Sequence, residues 1–305
     1  MSQIEAWTAT KLVHWISNDS KKRGLSPPHR LEAELLVANA LNISRLDIYL
    51  LHDKPCSTNE RSAVRNLYKR RIQGEPIAYI LGESDFWTLN LNVGAGVLIP
   101  RQDTETLVEV AIDKISSVFQ SESPVTILEL GTGSGAIPLA LCHECKNLEI
   151  VTTDISIEAM AFARQNFNKY DSIIAGRQNL IHPVICDKFE GILAKHQFDI
   201  IISNPPYIAT EELEILQIEV KDWEPELAFQ AQNSGLSFYE YFNSLAHLYL
   251  KPEGYLIFEH GYSQTQAIKS LFNNKLTFQS SHKDLCHNDR VMVFQNTRYH
   301  ESSKI

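Results

Sequence analysis

Cysteine is scarce in this 305-residue chain. Its five residues, Cys56, Cys142, Cys145, Cys186 and Cys286, are odd in number and spread along the length. That excludes a disulfide-stapled scaffold and predicts reduced thiols, as in a cytoplasmic protein. Glycine and proline are also few, 13 and 12, too few for a fibrous or low-complexity chain. No apolar run approaches the roughly 20 residues of a membrane span. The opening Met1-Ser2-Gln3-Ile4-Glu5 has no apolar leader core, and no internal repeat is visible. Positive charge is in deficit: the formal net charge is −9. Residues 1–80 carry 12 Lys/Arg against 8 Asp/Glu, whereas residues 81–305 carry 16 against 29. An acidic larger part matches nucleic acid poorly, because phosphate contacts dominate non-specific affinity.

What is present is enough apolar residue, 44%, for a full core and two domains. Residues 1–75 read as short helices. Ile4, Trp7, Leu12, Trp15 and Ile16 fall loosely on one face of the first, and Pro27-Pro28 start a second with Leu31, Leu35, Leu36 and Ala38 as its buried stripe. Ser44 and Asp47 suggest a short third helix, and Thr58 begins a fourth. Residues 76–100 read as a linker with a short antiparallel ribbon built on Phe86, Leu89, Leu91 and Val93. Residues 101–305 then alternate. Strands are expected at 125–130, 149–153, 181–186, 198–203 and 254–259, with a closing pair near 276–281 and 290–295. Helices are expected at 104–119, 136–145, 156–169, 234–249 and 263–273. Such alternation means an α/β fold, a parallel sheet covered on both faces, whose ligands bind beyond the carboxyl ends of the strands.

Two turns lie at those ends. The first, Glu129-Leu130-Gly131-Thr132-Gly133-Ser134-Gly135, joins a strand to a helix, and its glycines allow close backbone approach to a ligand. Glu129 lies just inside the turn, where a carboxylate can hold a donor-rich group. Asp154 follows the next strand, placed for both hydroxyls of a ribose, and Asp187 follows the third, placed for an adenine amino group. Glycine turns of this kind also occur in dinucleotide folds, so the geometry fits S-adenosylmethionine or NAD.

The second turn, Asn204-Pro205-Pro206-Tyr207, follows the apolar run Phe198-Asp199-Ile200-Ile201-Ile202. Two prolines stiffen it, the Asn amide offers an acceptor and two donors, and the Tyr ring offers a flat wall. These groups suit a planar amide or amine. Together the turns read as a methyltransferase acting on a planar nitrogen.

The Asn-Pro-Pro-Tyr turn resembles the signature of methyltransferases that modify exocyclic or amide nitrogens. Five further blocks narrow the likeness: Leu98-Ile99-Pro100-Arg101-Gln102-Asp103-Thr104-Glu105, Phe86-Trp87, Glu224-Pro225, Glu259-His260-Gly261 and Asn288-Asp289-Arg290. With them the chain resembles the release factor glutamine methyltransferases, the HemK or PrmC family. A sister family that methylates a glutamine of a large-subunit ribosomal protein typically has Ser-Pro after the Arg, where this chain has Gln102-Asp103. This chain departs from the release factor family's pattern at Ala228-Phe229 and His287-Asn288.

The resemblance implies a Rossmann-like, S-adenosylmethionine-dependent fold with a helical N-terminal domain that recognises substrate and a connecting β-hairpin. It implies methyl transfer to the glutamine of the Gly-Gly-Gln motif of class-I release factors. A cytoplasmic, monomeric enzyme without a metal is expected. Asn204, Pro205 and Tyr207 are then the catalytic residues. Glu129, Gly131, Thr132, Gly133, Gly135, Asp154, Asp187 and Asn204 form the cofactor site. Arg101, Glu105 and Pro206 join the turn in holding substrate. Cys142, His143 and Cys145 lack the four ligands of a structural zinc site.

Overall fold

The structure, a computed structural model, describes residues 6–118, 123–272 and 275–297. The opening five residues and the expected helix ends at 119 and 273 lie outside these ranges. The chain forms two compact units. One comprises residues 1–83 with 217–223, the other 84–216 with 224–305.

The smaller unit holds α1 (Ala9–Lys22), α2 (His29–Leu41), α3 (Asp47–Leu50), α4 (Thr58–Arg71) and α5 (Ile77–Leu81). Local chemistry sets the helix starts. Ser57 and Glu60 form a reciprocal capping box ahead of α4, and the Ser44 hydroxyl accepts the Asp47 N–H at α3. The core is Leu12, Val13 and Ile16 against Ala33, Leu36, Val37, Ile48 and Tyr68. The expected stripe of α2 is therefore rotated. Leu31 is exposed, while Ala33 and Val37 are buried beside Leu36. Trp15, expected on the inner face of α1, is 46% exposed. Which face of each short helix is buried is set by how its neighbours pack, and Leu31 and Trp15 fall outside that contact.

Residues 76–100 do not form one linker. Pro76 starts α5 and Gly82, at φ 80°, ends it within the helical unit. The hairpin that follows, β1 (Glu83–Phe86) and β2 (Leu89–Asn92), gives Phe86, Leu89 and Leu91 to the core of the larger unit.

The larger unit continues with α6 (Glu105–Val118), β3 (Val125–Leu130), α7 (Ala136–Glu144), β4 (Leu148–Asp154), α8 (Ile157–Lys169), α9 (Asp171–Gly176), β5 (Leu180–Ile185) and β6 (Phe198–Ser203). After β6 come β7 (Ile208–Ala209), α10 (Ile218–Lys221), β8 (Gln230–Ala231), α11 (Gln232–Gly235), α12 (Ser237–Tyr249), β9 (Leu250–Glu259), α13 (Thr265–Leu271), β10 (Thr277–Lys283) and β11 (Asp289–Gln295). Of these, α10 belongs to the smaller unit. The sheet order is β10-β11-β9-β6-β3-β4-β5, parallel from β9 to β5, with β11 antiparallel to both neighbours. This is the expected α/β methyltransferase architecture. The chain leaves β3 in one direction through β4 and β5, then in the other through β6 and β9, so the strand order reverses between β3 and β6. A crevice opens at such a reversal.

Residues 217–223 are held in the helical unit by a buried charge. Arg71, 2% exposed, donates to both Glu32 oxygens at 2.9 and 3.1 Å and to Glu219 at 2.9 Å. A buried ion cluster that loses one partner leaves the others desolvated. Arg71→Leu is expected to cost about 3–5 kcal/mol in the stability of that unit, measured by urea denaturation. A loss below about 1 kcal/mol would show that water already solvates the two glutamates.

Candidate active site

Strands β3, β4 and β6 end side by side, and the turns beyond them build the site. Gly131, Gly133 and Gly135 have φ of 80°, 55° and 82°, a region that penalises side chains. A Cβ on Gly135 would come within 2.6 Å of the Phe167 ring, so this glycine lets α7 pack on α8. The Gly131 and Thr132 N–H groups donate to the Thr153 carbonyl at 2.8 and 2.9 Å, fastening the turn to β4. At the end of β4, Asp154 accepts the Gly133 N–H at 2.8 Å and the Ser156 N–H at 2.9 Å, one on each oxygen. Each oxygen keeps a further acceptor site. Burial raises the Asp154 pKa, and these backbone donors oppose the rise. Asp187 lies beyond β5 and pairs with Lys188 at 2.6 Å.

These groups border a cavity of about 320 Å³, in the size range of small-molecule sites. Gly131, Gly133, Asp154, Asp187, Asn204, Pro205 and Pro206 all line it, with Leu98, Pro225 and Phe238 among its apolar walls. Asn204 donates through Nδ2 to Thr104 Oγ1 at 3.0 Å. Its Oδ1 is left without a partner among the described residues. The turn is clamped from behind, since the Tyr207 and Ile208 N–H groups both donate to the Phe229 carbonyl.

Six residues expected in the site do not line the cavity. Glu129 is fully buried beneath the glycine turn, where Oε2 accepts the Thr152 hydroxyl and Oε1 has no hydrogen bond of normal geometry. Thr132 is buried beside it, and Gly135 serves helix packing. Arg101 binds Glu224 Oε1 at 2.6 Å, and Glu224 Oε2 accepts the Ile99 N–H at 3.1 Å. The Glu224-Pro225 block is thus pinned to the segment before α6, placing Pro225 and Leu227 on the cavity wall. Glu105 turns to the hairpin and accepts the Trp87 N–H at 2.8 Å. Tyr207 is the clearest departure from expectation. Instead of presenting a free ring to the cavity, it sends its hydroxyl inward to Glu259 Oε1 at 3.1 Å.

Around Glu259 lies a network that sequence reasoning missed. Glu259, at the end of β9, is 1% exposed and also accepts the Thr104 hydroxyl at 2.7 Å. Arg290 on β11 reaches Tyr207 Oη and the His260 carbonyl at 3.5 Å and pairs with Asp284 and Asp103 at 3.2 and 3.0 Å. The available signal was an acid closing the apolar strand run Tyr255-Leu256-Ile257-Phe258. A charge there requires partners from elsewhere.

Comparison with known proteins bears on what this site is. Residues 11–82 match the PrmC N-terminal domain and residues 108–220 the methyltransferase small domain. The release factor glutamine methyltransferase of Geobacter sulfurreducens is 35% identical, over 88% of this chain and 89% of its own length. That of Rhodopirellula baltica is 32% identical, over 95% and 96%. The chain belongs to the PrmC/HemK family of release factor glutamine methyltransferases. Among solved structures, the catalytic domain of hMettl16 in complex with MAT2A 3′UTR hairpin 1 superposes with a TM-score of 0.52. It shares 13% identity over 77% of this chain and 82% of that one, a likeness of fold alone.

Family and fold make the chain an S-adenosylmethionine-dependent methyltransferase, and the cavity fits that cofactor. Gly131 and Gly133 bring bare backbone to the cavity, Asp154 and Asp187 border it, and Phe238 is part of its apolar wall. Two buried acids of this PrmC/HemK chain carry an electrostatic cost. Burial pushes Glu129 up to about 7, against the Thr152 and Thr132 hydroxyls. It pushes Glu259 up to about 7 as well, against Thr104, Arg290 and Tyr207.

A raised carboxyl pKa means the folded chain holds a proton where the unfolded chain has released it. Stability therefore falls as pH rises from the ordinary carboxyl range to about 7, then levels. Glu129→Gln is expected to add about 1–3 kcal/mol to stability at pH 8 and little at pH 4, measured by urea denaturation. An equal gain at both pH values would contradict a buried, reluctantly ionised acid.

Proposed function

We propose that this chain transfers a methyl group from S-adenosylmethionine to the side-chain amide nitrogen, N5, of the glutamine in the Gly-Gly-Gln motif of class-I peptide chain release factors. One observation carries the reading: Asn204 lines the cofactor-sized cavity with Nδ2 held by Thr104 and Oδ1 unpartnered. The relatives named above, release factor glutamine methyltransferases over most of their length, support the substrate class.

An amide nitrogen is a weak nucleophile because its lone pair is delocalised into the carbonyl. In the proposed mechanism Asn204 Oδ1 accepts one N–H of the substrate amide and the Pro205 carbonyl accepts the other. These acceptors orient the nitrogen and stabilise the positive charge that develops there as the N–C bond forms. The cofactor would supply an electrophilic sulfonium methyl, whose S–C bond breaks to leave a neutral thioether as the N–C bond forms. Asp154 would hold the ribose and Asp187 the adenine amino group, and the glycine turn would admit the remainder. Once methylated, the nitrogen is strongly acidic and loses its proton to water, so no dedicated base is required. Positioning is the main contribution of the protein. The helical unit is assigned to recognition of the protein substrate, in the cytoplasm.

Asn204→Ala is expected to lower methyl transfer to a purified release factor by about 10²–10³-fold, with cofactor affinity retained. Near-normal turnover by the folded variant would overturn the assignment of Asn204. Asp154→Ala should have the opposite signature, weakening S-adenosylmethionine binding by about 1.5–3 kcal/mol in calorimetry. Labelled-methyl transfer to release factor, a large-subunit ribosomal protein, DNA and ribosomal RNA, side by side, tests the substrate. Mapping the label to anything but a release factor glutamine rejects the proposal.

A further inference from the structure

An asparagine amide has two ends of nearly equal shape, and the proposed chemistry needs only one of them. If Nδ2 faced the acceptor nitrogen, it would present a donor where an acceptor is required. Something must therefore fix the flip of Asn204. Its neighbour Thr104 cannot do so alone, because a hydroxyl both donates and accepts and rotates to suit its partner. Left to itself, Thr104 can hold either end of the amide.

The choice is removed one residue further in. Thr104 Oγ1 lies 2.7 Å from Glu259 Oε2 and 3.0 Å from Asn204 Nδ2. Once ionised, at a pH above about 7, Glu259 is a carboxylate that only accepts, so the single hydroxyl proton then goes to it, and Thr104 meets Asn204 with a lone pair. The other side of the carboxylate is fixed in the same sense. Tyr207 donates to Glu259 Oε1 at 3.1 Å, and the Arg290 guanidinium, which has no acceptor, approaches Tyr207 Oη at 3.5 Å. Every proton in the chain points toward Glu259.

We infer that Glu259 is a positioning residue for methyl transfer, which sets the orientation of the Asn204 amide through Thr104 and so turns Oδ1 toward the acceptor nitrogen. This rests on the proposed function, since it assumes that Asn204 receives the substrate amide. Glu259 does not line the cavity. Its carboxyl is fully buried and ionises reluctantly, an expensive way to complete a fold that a neutral side chain of similar shape would complete at lower cost. A polarised network explains why an ionisable acid stands there.

The full-length protein tests this through three substitutions. Glu259→Gln keeps the shape but brings a donor to the network, so the Thr104 proton can turn to Asn204. Thr104→Val deletes the hydroxyl at constant volume, and Thr104→Ser restores it. With release factor as substrate and saturating S-adenosylmethionine, Glu259→Gln and Thr104→Val are expected to lower kcat by about 10- to 100-fold. KM for the release factor and cofactor affinity should change by less than about threefold, and Thr104→Ser should recover most of the rate. The Asn204 side-chain amide resonances of the cofactor-loaded enzyme, read by NMR without substrate, should shift in Glu259→Gln and Thr104→Val and return in Thr104→Ser.

Wild-type kcat in folded Glu259→Gln and Thr104→Val, or unmoved Asn204 resonances, overturns the inference. Should Glu259→Gln fail to fold, the Thr104 pair decides alone. A wild-type enzyme that leaves the release factor unmethylated rejects the proposed function instead, and the Asn204 resonances still decide the network.

Discussion

Glu259 ends an apolar strand in a place that water does not reach, and the candidate site is organised around satisfying it. Its two oxygens draw in Thr104 from the turn before α6 and Tyr207 from the turn after β6. Arg290, from β11, closes the group and is itself held by Asp284 and Asp103. Distant chain segments thus converge on one carboxyl group. The penalty for leaving such a group unpaired exceeds the modest net gain of each hydrogen bond, so the arrangement is specified by avoidance as much as by attraction. Asn204 is the outermost member of this network and the one that meets the cavity.

The cofactor side repeats the device at β3. Glu129 lies under the glycine turn with Thr152 on one oxygen, and Asp154 takes the Gly133 N–H from the next strand. Parallel pairing brings these residues together: Glu129 is opposite Thr152, and Leu130 opposite both Thr153 and Ser203. The turn is held by its neighbours, so little ordering is left for ligand binding to accomplish. Both buried acids lie just behind the reactive edge. Stability is given up at these positions, as is common at functional sites.

Much of the fold was legible because its signals are local. Apolar runs of strand length alternated with helical segments, and Pro76 with Gly82 even marked the short α5 that the linker reading passed over. What spacing did not show shares a cause. Leu31 and Trp15 were placed inside by periodicity, but which face of a short helix is buried depends on how closely its neighbours approach. Glu105 and Arg101 were assigned to substrate because they sit in a telling segment. Their partners, the Trp87 N–H and Glu224, lie 18 and 123 residues away along the chain. The segment 217–223 looked like part of the larger domain, yet Arg71 holds it in the helical unit.

The sequence by itself determined the class of chemistry. The glycine turn, the acids after successive strands and the Asn-Pro-Pro-Tyr turn each lie within a few residues, and a turn at a strand end has few geometries open to it. Only the tertiary structure decided which atoms of those residues are free. Tyr207 reads as a flat wall in the sequence, but the fold commits its hydroxyl to Glu259, 52 residues further on. Asn204 offers both ends of its amide until Thr104, 100 residues earlier, takes one of them. Hydrogen bonds that saturate a side chain are made across strands and turns distant in sequence, and burial decides which of them must be made. Spacing along the chain encodes neither.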